Sequence, residues 1–336
     1  MAFRRTARWI GLLALGLVLA AAALVAWRAL TPTAALAVGS RIVEIPAQEG
    51  VLGIARRLRD AEIVPSAEVF VTLAVVRRSA RSLRAGEYEF APGTTTLAAL
   101  RQIESGKVRL HPLLHPEGAT VAELARTLEQ QKLAPAADVV RIASDPAFLR
   151  SVGIEGRNLE GYVFPDTYYF TRGLTTEQML ARTVQRLRAK LTPGLIARAR
   201  ERGLDVHELL TLASIIEREA VVHDERRLIS AVFWNRLQLG MPLQADPTVQ
   251  YAVGKERRAL TRADLATDHP FNTYTHPGLP PGPIASPGLA AIEAALDPAP
   301  VKYLYFVASD DQRHHFSTTV TEHNDAVARY RLARTR

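Results

Sequence analysis

From Trp9 to Leu30 the chain is apolar almost without interruption, Arg28 being the one charge in the run. Such a helix has no polar face to turn to water, so it must lie in lipid or inside protein. About 20 residues rising 1.5 Å each cover roughly 30 Å, the thickness of a hydrocarbon core. Trp9 and Trp27 stand at the two ends, where interfacial aromatics belong, and Arg4, Arg5 and Arg8 precede the run. The pattern predicts a cytoplasmic tail over 1–8, a transmembrane helix over 9–30, and export of everything past about residue 31. The competing reading is a signal peptide cleaved near Ala35 to Ala37, but the run is longer than an ordinary signal core, which favours an uncleaved anchor.

Four arginines are the only charges before residue 41 and account for half of the net charge of +8. The remainder is mild for 336 residues, and no basic stripe interleaved with aromatics runs through it, which argues against nucleic acid. There are no cysteines, so disulfides, thiolate catalysis and cysteine metal sites are excluded. Nine histidines are present, with His314-His315 the one close pair and no H-E-x-x-H string. Surface roles are expected for them, with no metal and no cofactor.

The exported part divides at about residue 108. Residues 41–108 alternate short strand-like runs with helices: Arg41 to Pro46 as a strand, a helix through Ile54 and Leu58, and a second capped by Ser66. Glu87 to Phe90 reads as a strand, and Pro92-Gly93-Thr94 opens another helix. A third unit starts at Pro116-Glu117-Gly118. These strand–turn–helix units form a loose internal echo. Residues 109–336 carry the remaining motifs, with helices and short strands intermingled and no regular β-α-β alternation. The fold class expected is therefore α+β.

Within that second region, Leu212 to Pro247 places carboxylates in an apolar helix. Helical periodicity runs through Val206, Leu209, Leu210, Ala213 and Ile216 and then reaches Glu217 and Glu219. Glu217 has Ala213, Ser214, Ala220 and Val221 at helical spacings and no basic neighbour among them. A partly desolvated carboxyl in such surroundings has a raised pKa and can donate a proton near neutral pH. Glu219 has similar neighbours, so spacing alone does not choose between the two, and both also fit the solvent face of an amphipathic helix.

Asp224 can cap a following helix that runs to Leu239 and stops at Gly240, with Asn235 and Arg236 beside its apolar stripe. Gln244, Asp246, Pro247 and Thr248 form a turn, and Val249 to Val253 reads as a strand. The stiff loop His269 to Gly288 presents Asn272, Thr273 and Tyr274, amide, hydroxyl and phenol groups suited to sugars. Ser286-Pro287 reads as the start of a helix, Tyr303 to Ala308 as a buried strand, and Thr321 as the start of the last helix. The aromatic run Leu159 to Phe170 is read as mainly core, with Glu160 and Asp166 as secondary site candidates.

LASIIERE (212–219), NRLQLGMPLQADPT (235–248) and NTYTHPGLPPGPI (272–284) together resemble the endolytic murein transglycosylases, the YceG-like family. The resemblance implies that the first glutamate of I-x-E-x-E, Glu217, is catalytic. It places Glu219, Asn235, Arg236, Gln244, Asp246, Thr248, Asn272 and Tyr274 along a substrate groove. It implies a LysM-like module over 41–108, which binds glycan or serves as a spacer, and a catalytic lobe over 109–336. The activity implied is cleavage of the MurNAc-GlcNAc β-1,4 bond within peptidoglycan strands, leaving 1,6-anhydroMurNAc ends, at the cell inner membrane with the lobe periplasmic. Penicillin-binding peptidoglycan synthases are the implied partners. A hydrolytic muramidase using Glu219 or Asp246 as second carboxylate, and a non-catalytic wall-binding scaffold, stay open beside this reading.

Overall fold

The computed structural model describes residues 2–33, 39–255, 257–309 and 313–334. The cleavage site considered at Ala35 to Ala37 lies outside them. The chain forms two compact units, one of residues 1–111 with 169–174 and one of 112–168 with 175–336.

The first unit opens with α1 (Ala2–Leu30), whose stretch Trp9–Leu30 is long and apolar enough to cross a membrane. β1 (Arg41–Ile45), α2 (Val51–Asp60), α3 (Ala67–Val76), β2 (Gly86–Phe90) and α4 (Thr96–Ser105) follow. β1 and β2 pair antiparallel, Arg41 opposite Phe90 and Ile45 opposite Gly86. Alternation along them turns Val43, Ile45, Tyr88 and Phe90 inward onto Ile54, Leu58, Phe70, Leu100 and Ile103. Ser66 and Thr95 cap α3 and α4 by accepting from Val69 N and Ala98 N, so the expected Ser66 cap is in place. Glu87, buried in this unit, meets His111 Nε2 at 2.5 Å and Arg172 at 3.3 Å.

The chain continues with β3 (His111–His115), α5 (Val121–Gln130), α6 (Ala136–Ala143), α7 (Pro146–Ser151), β4 (Asp166–Phe170), α8 (Thr176–Lys190) and α9 (Pro193–Glu201), the five helices all belonging to the second unit. Next come α10 (Val206–Glu219), α11 (Arg226–Gln238), α12 (Asp246–Ala252), α13 (Arg262–Leu265) and α14 (Leu289–Leu296). β5 (Tyr305–Ala308), β6 (His314–Ser317) and α15 (Val320–Arg334) close the chain. Small two-stranded sheets among many helices make the class α+β, as the mixed pattern predicts.

At the centre of this unit lies α10. Asp205 and Glu208 form a reciprocal capping box at its start. Every residue from Leu209 to Glu217 is buried, so the helix is covered on all sides and has no solvent face along this stretch. The aromatic run is core as expected: Tyr162, Phe164, Tyr168 and Phe170 are buried, while Tyr169 is exposed.

Several local expectations are corrected. Val249 to Val253 is not a strand; Pro247 near the first position seeds α12 over Asp246–Ala252. Asp224 lies in a short turn His223–Glu225 and does not cap α11. The helix after the Pro/Gly loop starts three residues later than Ser286, with Gly288 at its N-cap. Tyr305–Ala308 is half-buried, not buried, and the last helix begins at Val320. His115 and His314 are not surface residues. His115 is buried against Ser286 Oγ at 2.8 Å, and His314 Nδ1 meets buried Glu225 at 2.6 Å.

Candidate active site

Glu217 and Glu219 leave the last turn of α10 on opposite sides, about 200° apart at 100° per residue, and meet different surroundings. The Glu217 carboxylate is held at both oxygens. Arg226 Nη2 donates to Oε1 at 2.9 Å, and the backbone N–H of Gly288 donates to Oε2 at 3.0 Å. Both charged side chains are almost wholly enclosed, with 5% of Glu217 and 6% of Arg226 exposed. Gly288 is the N-cap of α14, so the carboxyl group also sits at the start of that helix. At the helical spacings of three and four Glu217 has no basic neighbour, as the sequence shows. Arg226 arrives from the next helix, at a spacing of nine that helical neighbour rules do not test.

Glu219 is the carboxyl with a raised pKa. Desolvation, then the negative charge of Asp246, push it up to about 8. Arg218 and the backbone N–H of Asp246 pull the other way and only partly offset the shift. Near neutral pH this group holds its proton, the state a general acid needs.

Asp246, exposed at the start of α12, accepts from Tyr274 Oη at 2.6 Å. Burial first, and then that contact, hold the Tyr274 hydroxyl far above its ordinary pKa, so it stays a donor. Gln244 is exposed and sits at φ +51, a left-handed conformation unusual for a residue with a side chain. Its backbone N–H is tied to Thr273 O at 3.1 Å. Glu219, Asp246 and Tyr274 thus form one polar group at the end of α10.

Four other groove candidates are hydrogen-bonded within the protein. Asn235 donates to Val301 O and Tyr303 O at 3.0 and 2.8 Å. Arg236 is buried, donating to Leu304 O at 2.7 Å and Leu243 O at 2.8 Å, with its guanidinium over the Tyr305 ring. Thr248 is fully enclosed, sharing a hydrogen bond with Thr273 at 2.9 Å. Asn272 is also fully enclosed and ties the start of the Pro/Gly loop by donating to Leu265 O and Thr267 O and accepting from Tyr274 N. Most of these polar atoms bond backbone groups, and Arg236 Nη1 also donates to Gln244 Oε1 at 3.3 Å. Glu160 caps α5 through Val121 N, and Asp166 pairs with Arg186.

The same loop is fastened to α10 itself. Ser214 Oγ accepts from Ile284 N at 3.0 Å, and His207 Nε2 meets Pro281 O at 2.9 Å. Gly161, at φ +80, lets Pro283 approach so closely that a Cβ there would lie 2.3 Å from it. Arg226, Gly288 and Ser214 are the site residues that sequence reasoning missed. Only the arginine pair Arg226-Arg227, following an acidic turn, offered any signal.

A family model described as the YceG-like family matches residues 43–329. An endolytic murein transglycosylase of Bacillus subtilis (strain 168) is 32% identical over 303 residues, covering 86% of this chain and 84% of that protein. One of Streptococcus pneumoniae serotype 2 is 29% identical over 320 residues, and the match spans 58% of that longer relative. The crystal structure of a YceG-like protein from Listeria monocytogenes superposes with a TM-score of 0.61 at 34% identity, covering 85% of this chain and 98% of that one.

Proposed function

Because this chain belongs to the YceG-like family, we propose that it is a lytic transglycosylase that cuts peptidoglycan within glycan strands, with Glu219 as its general acid. The observation that carries the assignment is the contrast between the two glutamates: desolvation and Asp246 raise Glu219 to about 8, whereas both oxygens of Glu217 are already taken by Arg226 Nη2 and the Gly288 N–H. The resemblance alone pointed to Glu217; the geometry favours Glu219 as acid and Glu217 as the residue that pins the end of α10.

Ordinary glycosidases use two carboxyl groups because water must be activated. In the lytic reaction the muramoyl 6-hydroxyl attacks its own anomeric carbon, so no water enters. Protonated Glu219 gives its proton to the glycosidic oxygen as the C1–O4 bond breaks. The resulting carboxylate then takes the proton of the 6-hydroxyl as the 1,6-anhydro ring closes, and the enzyme returns to its starting state. Asp246, held by Tyr274 Oη, is the group we assign to the positive charge that develops at the anomeric carbon. Gln244 and Tyr274 supply hydrogen bonds to the sugars.

One observation favours a second reading. Asp246 is close enough to raise Glu219 electrostatically, and a hydrolytic muramidase would use it to activate water. Mass spectrometry of peptidoglycan digested by the full chain separates the two. Anhydromuramic ends that vanish in Glu219→Gln support the lytic reaction, and reducing ends support hydrolysis. A wild type that cuts nothing favours a wall-binding scaffold. Glu217→Gln serves as the companion variant; if it alone abolished cutting, the roles of the two glutamates would be exchanged.

The anchor is α1, with its N-terminus in the cytoplasm and the second unit on the periplasmic face of the inner membrane. Cutting there ends the elongation of nascent strands made by penicillin-binding synthases. The LysM-like module over 41–108 acts as a spacer: its aromatics Phe70, Tyr88 and Phe90 are all enclosed in its core and offer no face to a sugar.

A further inference from the structure

The chain contains a closer internal correspondence than its sequence displays. β1 and β3 are both five residues long and stand seventy residues apart. α2 and α5 are both ten residues long at the same offset, and their buried residues coincide: Ile54, Ala55 and Leu58 against Leu124, Ala125 and Leu128. The turn after each helix has a left-handed residue at the same point, Glu62 at φ +58 and Lys132 at φ +56. It is closed by the same bond, Ile63 N to Leu58 O at 2.8 Å and Leu133 N to Leu128 O at 2.9 Å.

Past an insertion, the correspondence resumes with an offset of eighty. β2 matches β4. Tyr88 Oη donates to Arg84 O at 2.7 Å, and Tyr168 Oη donates to Phe164 O at 2.5 Å. Gly93 and Gly173 share a left-handed φ, and Thr95 and Thr175 cap the helices that follow. Non-glycine residues with positive φ are uncommon, and their recurrence at matched positions is not a product of helical periodicity.

The two copies differ most where the first strand turns into the first helix. In the first copy this turn carries Gln48 at φ +66, exposed. In the second copy the same position is Gly118 at φ +70, buried. Gly118 N donates to Ser286 O and Ser286 N donates to Ala119 O, both at 2.8 Å. Gly118 O accepts from Arg218 Nη1 at 3.3 Å and from Arg257 Nη2 at 3.5 Å. A Cβ at Gly118 would stand 3.4 Å from Arg218 Cδ and 3.8 Å from Glu217 Cγ. We infer that residues 41–105 and 111–190 are two copies of one module, and that the second copy's first turn has been recruited to the end of α10, against Arg218 and Glu217, with Gly118 a positioning residue for Arg218.

This rests on the assignment of Glu219 above. Arg218 is the guanidinium that opposes the effect of Asp246 on Glu219. The groups acting on Glu219 are Asp246 from α12, Tyr274 from the loop and Arg218 from its own helix. Gln48 shows that this turn accommodates a glutamine at left-handed φ, so Gly118→Gln is expected to fold. Its longer side chain would displace Arg218.

The test compares the full chain with Gly118→Gln, Gly118→Ala and the control Gln48→Gly. In Gly118→Gln we expect kcat to fall about tenfold with KM nearly unchanged, and the alkaline limb of the pH profile to move upward as Arg218 retreats. Gly118→Ala should show a smaller change in the same direction, and Gln48→Gly none. An unshifted limb in Gly118→Gln, with or without loss of rate, overturns the positioning role. Titration of the Glu219 carboxyl by 13C NMR in wild type and Gly118→Gln reads the same displacement without turnover. A chain that releases no anhydro ends would thus sink the proposed activity while leaving the positioning role to be decided by the titration.

Discussion

Arg226 and Glu217 form an enclosed ion pair, Nη2 to Oε1 at 2.9 Å, between α10 and α11 of the second unit. Glu117 approaches the same Nη2 at 3.5 Å, so one guanidinium gathers two carboxylates. Gly288 completes the arrangement, since a Cβ there would collide with the Glu117 carboxyl. The pair therefore joins α10, α11 and the start of α14. Removing one partner of a buried pair leaves an uncompensated charge, at a cost of about 3–5 kcal/mol. Arg226→Met should lower unfolding stability by that order, measured by urea denaturation. Glu217→Gln/Arg226→Met should recover part of it, and a double variant no more stable than Arg226→Met would show that the charge is not what matters.

The pH dependence of cutting follows from Glu219. An acid raised to about 8 is protonated below that pH, so the rate should fall as pH rises through it. Asp246→Asn removes the negative charge that helps hold the proton, and the limb should move to lower pH. Stability has the same sign: the folded pKa lies above the unfolded one, so stability declines as pH rises from about 4.5 to about 8. Glu219→Gln escapes that decline, and its gain in Tm over wild type should be larger at pH 8 than at pH 4.5.

Much of the frame was legible in the sequence because it rests on local rules. The apolar run Trp9–Leu30, the Ser66 cap and the periodicity of α10 all follow from neighbours within a few residues. The state of the two glutamates was not legible, because it depends on groups distant in the chain. Gly288 lies seventy-one residues beyond Glu217, and Asp246 reaches Glu219 only after α11 has turned back. Asn235, Arg236, Thr248 and Asn272 are recognisable as a motif, yet a motif records that residues matter and not whether they face sugar or backbone. The echo between modules was faint for a related reason: backbone conformation is matched at Gln48 and Gly118 while the side chains are not.

Asn272 offers a test of the frame role. Its amide donates to two carbonyls and its oxygen accepts from Tyr274 N, all in an enclosed site. Asn272→Ala leaves those backbone groups without partners, at about 1–3 kcal/mol for each one that stays buried and unsatisfied. Loss of stability by calorimetry should accompany loss of cutting. A residue that only touched sugar would instead raise KM and leave Tm in place.

His115 predicts how the unit behaves in acid. It is enclosed beside Ser286, and desolvation holds its pKa down at about 4. Between about 4 and 6.5 the unfolded chain binds a proton at this position that the folded chain refuses. Stability should therefore fall as pH drops through that window, and level off below about 4 as far as this residue is concerned. His115→Asn keeps a side chain able to bond Ser286 and removes the titration. Its unfolding free energy should be flatter than wild type across the window, and an unchanged slope would place the acid sensitivity elsewhere. Because Ser286 also bonds Gly118 and Ala119, two residues before Gly288, acid opening at His115 should loosen the strand that presents Gly288 to Glu217. Protection factors of the Ser286 and Gly288 amides, taken against intrinsic exchange rates at each pH, should fall at pH 4.5 in wild type, and less so in His115→Asn.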